Sequence, residues 1–81
     1  MISNQELEQR FANYSDIEFV RVEGDGYHYQ LTIVSEAFLG KSKVARQQWV
    51  YGRIQDVITS GNLHALSMKT FTREEWEKHN G

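Results

Sequence analysis

The sequence predicts a small α+β domain in which helices cover one face of a mixed three-stranded sheet. Two observations carry this prediction. Hydrophobic periodicity changes along the chain in the order helix, strand, strand, helix, strand, helix. The turn residues Gly24-Asp25-Gly26 join the first two strands as an antiparallel hairpin, and the later strand-helix-strand crossover favours parallel neighbours. We therefore expect one domain over residues 1–81, with strand two beside both other strands.

Composition limits the class of protein. The chain has 81 residues, of which 40% are hydrophobic and 25% charged, which is typical of a globular domain and excludes a disordered tail or a fibre. A net charge of −2 provides no global attraction to nucleic acid or to anionic membranes. Cysteine is absent, so no disulfide forms and any thiolate ligand has to come from another molecule.

The N-terminus indicates where the protein acts. It lacks the basic and then apolar character of a secretion signal, and no apolar run in the sequence is long enough to cross a bilayer. We therefore expect a cytoplasmic protein without a membrane partner.

The first helix is predicted over residues 4–13. Ser3 and Glu6 have the spacing of a capping box, and Ile2 can pack against Leu7 as a hydrophobic staple. Residues 17–34 are rich in β-branched and aromatic side chains and form the hairpin. In its second strand three polar side chains alternate with three apolar ones, which places the polar set on the opposite face: His28, Gln30 and Thr32.

A longer helix is predicted to begin after Ser42, its N-cap, and to end at Gly61-Asn62. Gly52 lies inside this helix and costs about 1 kcal/mol relative to alanine. Either the helix is weakened there or another backbone approaches closely, and the sequence does not distinguish these explanations. The buried stripe of the helix is Val44, Tyr51, Ile54, Val57 and Ile58.

The third strand is predicted over residues 63–70, and a short helix follows it. Thr72 and Glu75 form a second capping box, and Phe71 can pack against Trp76. This staple is expected to hold the last helix on the sheet.

Three stretches of the chain resemble the BolA family. Residues 63–72 (LHALSMKTFT) with Glu75-Trp76 are similar to its most diagnostic segment, and residues 34–46 are similar to its phenylalanine, glycine and arginine core pattern. The hairpin residues 24–28 resemble the YrbA-like branch, which has a histidine there. The likeness covers nearly the whole chain. It implies the order α-β-β-α-α-β-α, similar to a class II KH domain, with one extra helical turn around residues 35–39.

The resemblance also implies a function. BolA family members bind monothiol glutaredoxins and share a [2Fe–2S] cluster with them, and they are also described as transcriptional regulators of stress response and cell morphology. We therefore expect an accessory protein whose cluster is shared with glutaredoxin and glutathione and which has no cofactor when isolated. DNA is the alternative partner, and the sequence leaves a homodimer open. Enzyme function is not expected, since no nucleophile elbow, P-loop or dinucleotide motif is present.

Two histidines are the candidate metal ligands. By the resemblance, His64 matches the family's C-terminal cluster ligand, and an imidazole nitrogen is a competent iron ligand, as in Rieske centres. Without that motif, a histidine packed beside Leu66 at a strand start would be the commoner role. His28 corresponds to a hairpin region where other branches have a ligand, although an exposed histidine without a role is equally plausible. His79 is expected to be solvated.

The relative orientation of the two histidines stays open. Parallel pairing puts His28 and His64 near the same end of neighbouring strands. Simple alternation places His28 opposite the apolar side chains of its strand but His64 in phase with Leu66 and Met68. An irregular strand start would reconcile them.

Lys41, Lys43 and Arg46 are the candidate nucleic-acid contacts. They cluster at the start of the long helix, where free N–H groups favour an anion such as phosphate. The negative total charge and the lack of a G-x-x-G loop argue against this interpretation. Arg46 has a structural alternative, pairing with a carboxylate or a loop carbonyl. A zinc site has little support, because no H-E-x-x-H motif is present.

Overall fold

The fold contains three strands, four α-helices and one 3-10 turn within the part of the chain that is described. A computed structural model describes residues 2–61, 63 and 65–80. The elements in chain order are α1 (Asn4–Ala12), β1 (Ile17–Gly24), β2 (His28–Ser35), the 3-10 turn (Glu36–Phe38), α2 (Lys43–Arg53), α3 (Gln55–Thr59), β3 (Ala65–Phe71) and α4 (Arg73–Asn80). This order confirms the predicted fold, and the 3-10 turn is the extra turn expected around residues 35–39.

The sheet has the predicted topology. Its strand order is β1-β2-β3, with β1 and β2 antiparallel and β2 and β3 parallel. Both hydrogen-bonding edges of β2 are therefore occupied, whereas β1 and β3 each have one edge outside the sheet.

The first face of the sheet carries the hydrophobic core. Tyr29, Leu31 and Ile33 of β2 alternate onto this face and are at most 2% exposed. Helices α1, α2 and α3 cover it with buried side chains: Leu7, Phe11, Val50, Ile54 and Val57. The predicted helix start is confirmed, because the Ser3 hydroxyl accepts from the Glu6 N–H and the Glu6 carboxylate accepts from the Ser3 N–H.

The long helix predicted up to Gly61-Asn62 is interrupted at Ile54. Ile54 has φ −128° and ψ 20°, so α2 ends there and the short α3 begins. A side chain at Gly52 would meet nothing within 4 Å apart from its own helix, so no other backbone approaches closely. Of the two explanations for Gly52, local weakening of the helix is therefore the one that the structure supports.

The second face of the sheet is covered at one end only, and by α4. The strand register places Phe19, Val34 and Phe71 side by side on this face. Trp76 of α4 stacks on Phe19 and contacts Phe71, both with ring centroids 5.2 Å apart, and Val34 is 1% exposed. The expectation that helices cover one face holds for α1 to α3, whereas α4 packs on the other face. The predicted staple between Phe71 and Trp76 is confirmed.

A β-bulge in β1 makes this packing possible. Ile17 pairs with Ser35 and Phe19 pairs with Val34, so Glu18 is the extra residue. Ile17 consequently packs against the core, while Phe19 lies on the second face. The Glu18 carboxylate accepts hydrogen bonds from the Arg73 guanidinium of α4. The bulge therefore contributes both an aromatic and an ionic contact to α4.

No helix in the described ranges has the length and apolar character needed to cross a bilayer.

Candidate functional site

The second face has an open end opposite the end that Trp76 covers. Its side chains come from two strands and are His28, Gln30, Ala65 and Ser67. A shallow groove of about 290 Å³ lies here, lined by Glu23, Gly24, His28, Tyr29, Gln30 and Ser67. No described helix packs on this end, which is therefore accessible to another molecule.

The hairpin turn fixes the backbone of His28. Gly24 has φ +145°, and a Cβ atom there would lie 2.0 Å from the His28 carbonyl oxygen. The Asp25 carboxylate accepts the N–H groups of Tyr27 and His28 at 2.9 and 3.0 Å, and these hydrogen bonds lower the Asp25 pKa. His28 thus begins β2 at a defined position, and its side chain is exposed.

The partner of His28 across the sheet is Ala65, the first residue of β3. His64 precedes Ala65 in the sequence and lies outside the described residues. On its other side, Leu63 is 6% exposed and belongs to the core. The chain is therefore held both before and after His64, at the end of the sheet where His28 lies.

The third histidine lies at the other end of this face. The ring centroid of His79 is 5.0 Å from that of Phe71 and 5.8 Å from that of Trp76, on which it stacks. The residue is exposed, as predicted, but its stacking was not expected from the sequence. His79 is thus remote from His28 and serves as a matched control for it.

Arg46 forms the structural contacts that the sequence left open. Its guanidinium pairs with the Glu75 carboxylate at 2.6 Å and also donates to the carbonyl oxygens of Lys41 and Thr70. The Arg46 side chain is only 13% exposed. This ion pair, with the Thr72 N–H, lowers the pKa of Glu75 to about 2. The guanidinium therefore joins α2, β3 and α4 and is occupied within the protein.

The two lysines beside Arg46 are exposed. Lys41 Nζ donates to the Ala37 carbonyl at 2.7 Å, within the turn before α2. Lys43 is the first residue of α2 and lies beside a groove along β3. The three predicted nucleic-acid contacts are close in sequence, but only the two lysines present their charges to solvent.

Sequence reasoning missed Tyr27 and Ser67 at the open end. Tyr27 is 63% exposed and directly precedes His28. Its position beside the turn glycines was a signal for an exposed hairpin aromatic. Ser67 joins the site through its pairing with Gln30, which requires the strand register and not sequence proximity.

Comparison with known proteins identifies the family. The family model described as "BolA-like protein" matches residues 6–75. The chain belongs to the BolA-like family. The acid stress protein IbaG of Escherichia coli (strain K12) is 38% identical over 77 residues, covering 95% of this chain and 92% of IbaG.

Two further relatives agree with this assignment. The DNA-binding transcriptional regulator BolA of Vibrio cholerae is 37% identical, covering 88% of this chain and 65% of the regulator. The crystal structure of a bol-like protein from Babesia bovis superimposes with a TM-score of 0.83 at 30% identity, covering 100% of this chain and 96% of that one. The BolA resemblance of the sequence is therefore confirmed.

The donor atoms of this BolA-like chain favour a shared metal site. Cysteine is absent from the sequence, and the described residues contain no group of three or more side chains able to hold a metal ion. The exposed imidazole of His28 is a suitable nitrogen ligand on an accessible surface. Such a residue can complete a coordination sphere whose other ligands come from a partner.

Proposed function

We propose that this BolA-like protein is a non-enzymatic accessory factor that binds a monothiol glutaredoxin and shares a [2Fe–2S] cluster with it. One observation carries the proposal: His28 stands opposite Ala65, the residue after His64, at the open end of the second face. The two histidines are thereby associated with one accessible end of the sheet, although 36 positions separate them in the sequence.

The ligand chemistry supports a division between two proteins. This chain contains no thiol, so the cysteine of the glutaredoxin and the thiol of glutathione would supply thiolates. His64 and His28 would supply imidazole nitrogens, which replace thiolates on one iron in Rieske centres and raise the reduction potential. The cytoplasm is the proposed location, because thiols are kept reduced there.

The two histidines have different proposed roles. His64 is the primary iron ligand, in accordance with the family motif. His28 is a second ligand or an orienting residue on the hairpin, where a water molecule or glutathione could substitute for it. Tyr27, exposed beside His28, is a candidate contact for the glutaredoxin surface.

Anaerobic co-purification with a monothiol glutaredoxin tests the proposal. Visible absorption and magnetic resonance spectra report whether an imidazole ligates the cluster, since its replacement changes the ligand field of the iron. His64→Ala is expected to remove the mixed-ligand spectrum while the proteins still associate. His28→Ala is expected to weaken the cluster complex more mildly.

His79→Ala is the matched control, because this histidine lies at the covered end beside Trp76. It should leave the spectra unchanged. Spectra unaffected by His64→Ala but abolished by His28→Ala would overturn the ligand assignment. Failure of the two wild-type proteins to form a coloured complex would overturn the proposed function itself.

DNA binding is the second candidate function, favoured by the name of the Vibrio cholerae relative. Lys41 and Lys43 are the exposed cations that would contact phosphate. Each phosphate contact adds about 0.9 to the slope of log affinity against log salt. Lys41→Ala/Lys43→Ala should flatten that slope in duplex DNA titrations while Arg46 keeps its ion pair. Equal slopes for wild type and variant would exclude this patch as the DNA site.

A further inference from the structure

A second groove, of about 630 Å³, lies along β3 between α2 and α4. Its lining includes Met68, which faces the core side of the sheet, and also Lys69 and Phe71, which belong to the second face. Side chains from both faces of one strand can line a single groove only at the edge of that strand. Because β3 has β2 on one side only, this is the open edge of the sheet. We name it the β3-edge groove.

The β3-edge groove is positively charged in a chain of net charge −2. Three of the four lysines in the sequence line it: Lys43, Lys69 and Lys78. All three are exposed, and Lys78 has a nearby carboxylate, that of Glu74 at 3.2 Å. The other charges in the lining, Arg46 and Glu75, neutralise each other in an ion pair. A bound anionic group would therefore meet a local excess of cations.

Apolar side chains lie between these cations. Met68 is partly buried against the core, and the Phe71 ring is flanked by the His79 ring at 5.0 Å. Methionine adapts its shape to varied apolar partners. The groove thus combines apolar contact area with surrounding positive charge.

We propose that the β3-edge groove binds an acidic segment of a partner protein, which adds to the sheet as an extended strand beside β3. An open strand edge offers backbone N–H and C=O groups for strand addition. The cations lie on both sides of that edge, because Lys43 comes from α2 on the core side and Lys69 lies on the second face. Acidic side chains in both phases of an added strand would therefore meet lysines. The proposal does not depend on the shared cluster.

The backbone contacts at the end of β3 indicate where the segment would pair. Arg46 Nη1 donates to the Thr70 carbonyl at 3.3 Å, and the Thr72 N–H donates to the Glu75 carboxylate at 2.9 Å. These contacts already occupy backbone groups at the C-terminal end of the strand. Strand addition is therefore expected along residues 66–68.

Titration of the full chain with a short fluorescein-labelled peptide of glutamate and valine, with glutamate in both phases, tests the proposal. Lys69→Glu and Lys78→Glu should each weaken binding by about fivefold, since each substitution replaces a weak attraction by a repulsion. Amide chemical shifts of residues 66–68 should change on binding to wild type. A peptide with glutamine in place of glutamate should bind much more weakly.

Lys41→Glu is the matched control, since it changes the net charge equally but lies outside the groove lining. Its affinity for the peptide should stay within about twofold of wild type. Equal losses for Lys41→Glu and Lys69→Glu would reduce the effect to net charge and overturn the proposal. So would equal binding of the glutamine peptide, or binding of duplex DNA, and not of the peptide, that depends on Lys69 and Lys78.

Discussion

The two ends of the second sheet face differ in what covers them. At one end Trp76 of α4 stacks on Phe19 and Phe71, and Val34 beneath them is 1% exposed. At the other end His28 begins β2 without a covering helix. The same strands thus provide a packed surface and an accessible one within about three residue pairs. This teaches that the short α4 determines which part of the face contributes to stability and which part can bind a partner.

Removing the indole should have the largest effect on the covered end. Trp76→Ala is expected to lower the free energy of unfolding by about 2–3 kcal/mol, because it leaves a cavity between α4 and the sheet. Urea denaturation measures the change. Tyr27→Ala at the open end is the control and should cost no more than about 0.5 kcal/mol. Similar losses for the two variants would show that the ends do not differ in this way.

Acid should weaken the attachment of α4 next. The folded pKa of Glu75 is lowered to about 2 by the Arg46 ion pair and the Thr72 N–H. Its stabilisation is therefore complete above the ordinary carboxyl pKa of about 4.3 and is lost as the pH falls toward 2. We expect a loss of about 1 kcal/mol, reduced by solvent screening because the carboxylate is 46% exposed.

Denaturation of wild type and Glu75→Gln between about pH 5 and pH 2 measures this contribution. The variant should be less stable at pH 5 and should lose less stability over that interval. Parallel curves for the two proteins would show that the ion pair does not hold α4.

The smallest effect on stability is expected at His28. His28→Ala should change the free energy of unfolding by less than about 0.5 kcal/mol, because the side chain is exposed and the turn is held by Asp25 and Gly24. Thermal denaturation checks this. A large loss would assign His28 a structural role and would weaken the comparison between the two ends.

Much of the fold could be predicted because the relevant signals are local. The capping boxes at Ser3 and Thr72, the hairpin turn and the parallel crossover each depend on residues within one element or one connection. The break at Ile54 was not predicted, since the apolar stripe continues across it. Its cause is a local backbone change near Gly52, which hydrophobic periodicity does not report.

The candidate site was only partly predictable for a different reason. The association of His28 with Ala65 followed from the parallel pairing, and the structure confirms that pairing. The role of Arg46 could be stated only as an alternative, because Glu75 lies 29 residues away and nothing in the local sequence identifies it as the partner. The face occupied by α4 was mistaken because alternation places Ile17 and Phe19 on the same side, whereas the bulge separates them.

The bulge at Glu18 also determines which changes in chain length β1 can accept. Deletion of this one residue would restore strict alternation and move either Ile17 or Phe19 to the opposite face, since side chains repeat every second residue. The core or the seat of Trp76 would then lose an apolar group. In alignments of relatives, a gap at position 18 therefore corresponds to a repacked molecule.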